Sequence, residues 1–173
     1  MKRILSLLVG WITGSLLLGC NKSAPEPKLE LPPITSVGAN TMGFEVDGRV
    51  WVNYGRGCYG SGGGGCFDNV LQANASTYRG VRRFSLSAGL LTPRHQEDFS
   101  FSIDSLRGPG TYPAGPPPAS LPPGAVGTGA NGIHLTEGRL RQSFVSRANA
   151  TRILLTRVDT VAHIVSGTFE GRL

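Results

Sequence analysis

Beyond Lys28 the sequence contains no lysine, and its 173 residues include only three cysteines and three histidines. Every positive side chain from Leu29 onward is arginine, whose planar fork can hold a carboxylate or phosphate through two parallel hydrogen bonds. A codon preference for arginine produces the same list. Setting aside Lys2 and Arg3, which sit in a segment expected to be removed, leaves 15 basic against 11 acidic residues, a net of +4. So mild an excess is unlike that of a nucleic-acid-binding chain, and no nucleic-acid partner is expected. Helix-forming pattern is also scarce: only DNVLQANAS, from Asp68 to Ser76, is long enough for two turns. Catalytic patterns are missing as well. His95, His134 and His163 lie far apart and none sits in an H-E-x-x-H motif. Ser61 lies in a glycine run without the G-x-S-x-G frame, and no lysine follows that run as a phosphate loop requires. Glu97 and Asp98 are neighbours, and neighbours on a strand point to opposite faces, unsuited to a paired-carboxylate mechanism. No catalytic residue, cofactor or metal site is expected, and the chain reads as non-enzymatic.

The first stretch, MKRILSLLVGWITGSLLLGC, has two positive charges and then fifteen mostly apolar residues from Ile4 to Leu18. As a helix that run spans about 22 Å, against a hydrocarbon core of about 30 Å, so it is a poor permanent span and a good secretory signal. The small-x-small site of an ordinary signal peptidase is absent. Leu17-Leu18-Gly19-Cys20 instead resembles a bacterial lipobox, which implies a lipid on the Cys20 thiol, cleavage before it, and acylation of the new amino terminus. Several acyl chains anchor stably, at roughly 0.8 kcal/mol per buried methylene, where one alone is marginal. Asn21, by resemblance to Gram-negative lipoproteins, points to the outer membrane. Residues 1–19 are thus expected to be a signal peptide and 20–33 a lipidated cysteine with a tether. Residues 34–173 are expected to form one β-rich domain. The tether NKSAPEPKLELPP holds four prolines and would reach about 40 Å when extended.

Cys58 and Cys66 bracket seven residues, five of them glycine. In an oxidising envelope a disulfide is the first expectation, since glycines turn the chain back with little strain. Free thiols and a metal site are the alternatives, although zinc prefers a closer pair and two further ligands.

From Thr41 onward the signal is strand after strand. Asp47-Gly48 between β-formers marks a hairpin whose two-residue turn sets Phe44 opposite Trp51. Phe84, Leu86, Ala88 and Leu90 alternate with polar or small residues. Phe99, Phe101 and Ile103 do so more cleanly against Ser100, Ser102 and Asp104. GIHLTEG and RQSFVS read as shorter strands. TRILLTRV is apolar on both parities, as a central strand covered on two sides would be. In HIVSGTFEG, Val165 and Phe169 share a face with Gly167 between them, leaving room for a bulge or a close neighbour. Asp159-Thr160 reads as a turn, in which the Asp159 side chain is expected to cap the backbone two residues on. Arg139 and Arg141 would share a strand face, and with Arg79, Arg82, Arg83, Arg147, Arg152 and Arg157 they form a solvated surface or an anion patch. Leu106 to Gly132 is rich in proline and glycine. Gly110 to Pro113 reads as an edge strand and Pro116 to Pro123 as an exposed polyproline-like loop. The fold class is all-β, an antiparallel sandwich or barrel with hairpins and long Gly/Pro-rich loops.

The lipobox, the tether, GANTMGFEVDGRVW from Gly38, GTY at Gly110 and the ending LLTRVDTVAHIVSGTFE together resemble a family of small β-rich proteins of Gram-negative bacteria. Its members are lipid-anchored or secreted, and it is known as a domain of unknown function. The resemblance covers Leu31 to Glu170 and implies a β-rich envelope domain, with relatives often continuing for another strand. It implies no activity. The expected protein is lipid-anchored at the outer membrane, on its periplasmic face or the cell surface. Its partners are the membrane, through that anchor, and an envelope protein or a glycan. Its domain acts as a structural or protein-interaction module, or alternatively as a module holding a small molecule or glycan at its loops or barrel mouth. Cys20→Ser should abolish incorporation of labelled fatty acid and free the protein from membranes; undiminished labelling would refute the anchor.

Overall fold

The computed structural model describes residues 25–58, 65–115, 131–147 and 150–173. Cys20 and the polyproline run from Pro116 to Pro123 lie outside them. Among the described residues there are twelve strands and no helix. Chain order gives β1 (Gly43–Val46), β2 (Arg49–Val52), β3 (Arg56–Cys58), β4 (Cys66–Asp68), β5 (Leu71–Tyr78) and β6 (Val81–Leu91). There follow β7 (Gln96–Ile103), β8 (Gly110–Ala114), β9 (Gly132–Glu137), β10 (Gln142–Val145), β11 (Thr151–Asp159) and β12 (Ile164–Glu170). They make a five-stranded sheet, β10-β9-β7-β6-β5, a three-stranded sheet, β12-β11-β8, and two separate hairpins, β1-β2 and β3-β4. Every ladder is antiparallel, and neither larger sheet closes on itself, so the fold is sandwich-like and all-β.

Alternation builds the layers. Along β7, Phe99, Phe101 and Ile103 are buried while Ser100 and Ser102 between them are half-buried. Phe84, Ala88 and Leu90 of β6 and Ile133 and Leu135 of β9 join them on the inner face. Tyr112 and Ala114 of β8 and Ile153 and Leu155 of β11 are buried in the same cluster. The aromatic rings tie these layers together. Phe44 stacks on Trp51, its partner across the first hairpin, at 4.8 Å between centroids. Phe44 also lies 4.8 Å from Phe99, which stacks on Phe169 at 5.1 Å. Full burial of one such ring contributes about 1.5–3 kcal/mol. Trp51, fully buried, anchors the hairpin beside the larger sheets.

Turn chemistry fixes the registers. Asp47 and Gly48, with φ of 49° and 75°, give the two-residue turn whose twist matches the flanking strands. Arg79 and Gly80 repeat it at 49° and 78°, joining β5 to β6. DNVLQANAS is accordingly not helical: from Leu71 it pairs with β6 in an unbroken ladder from Leu71↔Ala88 to Tyr78↔Val81, because β6 offers eleven residues of backbone that need partners. TRILLTRV is central in its sheet but covered on one face only. Ile153 and Leu155 are buried while Leu154 is 41% exposed. Gly167 meets β11 where the register shifts between Leu155 and Arg157, and a Cβ there would stand 2.2 Å from the Leu154 carbonyl oxygen. Pro113 lies on β8, an edge strand. Arg139 and Arg141 share no strand face, for they occupy the turn between β9 and β10.

The amino-terminal segment is less free than its composition implies. Residues 25–33 of the expected tether run along the domain. The Thr92 hydroxyl donates to the Glu26 carboxylate, Leu29 packs on the core, and Pro32 fits against Gly43. Further on, Arg157 Nη1 donates to the Ser36 carbonyl at 2.7 Å.

The β11-β12 turn is capped as its sequence indicates. Asp159 Oδ1 accepts from the amides of Ala162 at 2.8 Å and Val161 at 3.1 Å, and Oδ2 accepts from Arg157 at 2.7 Å. The Ala162 amide first, and then the Arg157 guanidinium, hold this carboxyl below the usual carboxylate range. A folded value below the unfolded one means that this stabilisation is complete above the unfolded value and is lost as pH falls through the folded one. Asp159→Asn keeps a capping oxygen but cannot titrate, so urea melts across acidic pH should show a shallower loss of stability than wild type. Identical acid limbs would exclude this contribution.

Candidate functional site

A trough of about 1590 Å³ runs between the two larger sheets and the first hairpin. Its floor is made of strand faces. Strand β7 contributes Phe99 and Phe101, β9 contributes Ile133 and Leu135, and β11 contributes Ile153 and Leu155, always every second residue. Its borders are different. From β12 onward every residue between Val165 and Leu173 lines it, and so do Gly43 to Asp47 of the first hairpin. Successive residues of a strand point to opposite faces, so an unbroken run of both parities means that the trough lies along the strand edge. Both edges are free among the described residues: β12 pairs only with β11, and β1 only with β2. Phe44 and Phe169 touch across the gap with centroids 5.3 Å apart, yet no ladder joins β1 to β12.

One end of the trough carries a buried acid. Glu97, 3% exposed, shares the inward parity of Phe99 and Phe101. Arg49 Nη2 donates to its Oε2 at 2.9 Å, and His95 Nδ1 lies 3.1 Å from its Oε1. Arg49 is delivered by the tip of the first hairpin, and its Nη1 is buried without a partner. Directly opposite Glu97 in the β7-β9 ladder stands Glu137, which also lines the trough. The alternating pattern from Ile103 back to Phe99 carries this signal in the sequence: one more step of two reaches Glu97. Judging Glu97 only against its neighbour Asp98 misses it, because the relevant carboxylate comes from another strand.

The residues singled out in the sequence are placed apart. Cys58 and Cys66 face each other across the β3-β4 hairpin as a disulfide, 4.1 Å between Cα atoms, and neither lines the trough. Cys20 lies outside the described residues. His95 joins the Glu97 network, His134 is exposed on β9, and His163 sits in the β11-β12 turn at the trough's edge. Among the described residues no group of three His, Cys, Asp or Glu side chains is placed to hold a metal ion. No described helix is long and apolar enough to cross a membrane. Of the arginines, Arg83 pairs with Asp104, Arg152 with Glu170 and Arg157 with Asp159, each as a local link rather than part of one patch. Arg79 and Arg83 instead flank the Tyr78 ring. Compared with family models, with curated proteins and with solved structures, the chain matches none.

The Arg49-Glu97 pair fastens the hairpin tip to β7 and so sets the width of the trough at that end. Glu97→Ala should cost about 1–3 kcal/mol, less than a fully enclosed pair because the Arg49 side chain is 39% exposed. Replacing both, as Arg49→Met with Glu97→Leu, should restore most of the loss, since no charge is left behind. Urea unfolding of the three variants checks this, and a double variant weaker than Glu97→Ala would contradict it.

Proposed function

We propose that this protein is a lipid-anchored, non-enzymatic module of the outer membrane whose β-domain receives an extended segment of a partner envelope protein in the trough between β1 and β12. The observation that carries the reading is the lining: an apolar floor of alternate residues bordered by two unpaired strand edges. Unpaired edge amides and carbonyls are a template for an added strand, and alternating pockets beneath it select alternate side chains. A small apolar ligand or a glycan is the second reading. At about 1590 Å³ the trough exceeds the roughly 300–1,000 Å³ typical of small-molecule sites, and backbone edges give such a ligand nothing specific. The lipobox at Cys20 and the envelope-type disulfide support the address.

The test is a titration of the mature soluble domain, residues 21–173, with fluorescein-labelled peptides of nine residues alternating valine and threonine, beside a fluorescent fatty acid and a panel of envelope oligosaccharides. The expected result is saturable peptide binding, lost when Phe169→Asp puts a charge on the β12 border in protein whose circular dichroism is unchanged, and kept when Tyr78→Asp alters the far edge. Uptake of the fatty acid or a sugar with no peptide binding would overturn the reading.

A further inference from the structure

Charge is divided along the trough. At the hairpin-tip end Glu45, Asp47 and Glu137 line it, and none of them is in an ion pair among the described residues. At the other end stand Arg147 and Arg172, joined through the Arg147 amide and the Arg172 carbonyl at 3.0 Å. All eleven acidic residues of the chain are described, and neither arginine is paired with any of them. Glu170 lies near that end too, but it is engaged by Arg152. The distance between the ends is set by β9. Ser146, next to Arg147, is hydrogen-bonded to Ile133, and Glu137 is four residues further along the strand, about 14 Å at 3.4 Å per residue.

Direction follows from the borders. Strand β12 runs toward Arg172, whereas β1 runs toward the hairpin tip. A strand between them is antiparallel to one and parallel to the other. Pairing antiparallel to β12, the longer edge at seven residues against four, uses the more stable ladder over the greater length. The incoming amino end then lies beside Arg147 and Arg172.

The geometry points to a specific occupant: an extended segment with apolar residues at alternate positions, acidic at its amino end and basic at its carboxyl end. This rests on the strand-receiving role proposed above. The trough's charge gradient orients the segment and rejects the reversed one, since like charges then face each other at both ends.

Terminally blocked peptides with the same valine-threonine centre separate the possibilities. One carries two aspartates first and two lysines last, one has the reverse order, and one has serines at both ends. The acid-first peptide should bind about three- to tenfold more tightly than the serine-ended one, the reverse peptide more weakly than either, and the spread should shrink as salt is raised. Arg147→Glu with Arg172→Glu should remove the acid-first preference; these side chains are exposed and the link between the two residues is through backbone, and circular dichroism checks that the fold is kept. Equal binding of all three peptides would overturn this inference and leave the strand-receiving role standing. Binding of none would overturn both.

Discussion

The domain depends on one aromatic contact set, in which Phe44, Trp51, Phe99 and Phe169 meet from four strands belonging to three separate sheets. Among the described residues no ladder joins these sheets to one another; a bridge from Tyr54 to Leu90 and isolated backbone bonds such as that from the Arg147 amide to the Arg172 carbonyl are what link them through the backbone. Ladders therefore hold each sheet together internally, while ring packing, aided by isolated hydrogen bonds such as Arg49 to Glu97, joins the sheets. Such packing has little directional demand, so it tolerates a gap between β1 and β12 that a continuous ladder would have closed. The trough is a consequence of that division of labour.

Polar groups then define what the apolar contacts leave open. A carboxylate as enclosed as Glu97 is costly unless paired and hydrogen-bonded, and Arg49 and His95 meet that need. Because Arg49 belongs to the hairpin and Glu97 to β7, the pair gives direction to an attachment that the rings alone would leave loose. The same local logic governs the far turn, where Asp159 binds two amides and an arginine without help from the core. Elsewhere on the trough Glu170 is held by Arg152, whereas Glu45, Asp47 and Glu137 make no ion pair among the described residues, and the proposed directional preference is argued from them.

Much of the architecture was legible because a strand's period is two and its turns need particular residues. The Phe99 to Ile103 alternation, the Asp47-Gly48 turn, the edge role of Pro113 and the close approach at Gly167 all follow from single-residue chemistry. Where the reading failed, the deciding partner lay far off in sequence. Asn69 to Ser76 carries weak propensity of any kind, and the ladder offered by β6 decided its conformation. Leu154 carries an apolar side chain on a face that no second layer covers. The trough was the least legible feature, for its lining is drawn from nine strands and from edges that have no sequence signature. Glu97 sits at an inward parity that the alternation marks, but comparison with its neighbour Asp98 alone passed over it.

The amino-terminal segment links the site to the proposed membrane address. Leu31 to Thr35 and Gly38 to Met42 line the trough, Glu26 is held by Thr92 in the β6-β7 connection and Ser36 by Arg157 of β11. Glu26 stands six residues after Cys20 in sequence, a separation of at most about 20 Å, against about 40 Å for the extended length of the whole tether. A domain on so short a lead, if fastened by acyl chains on Cys20, stays within one domain diameter of the bilayer. The residues that line the trough from Leu31 follow directly in sequence on the docked stretch around Glu26 and Leu29, so the same segment that packs on the core also enters the candidate site.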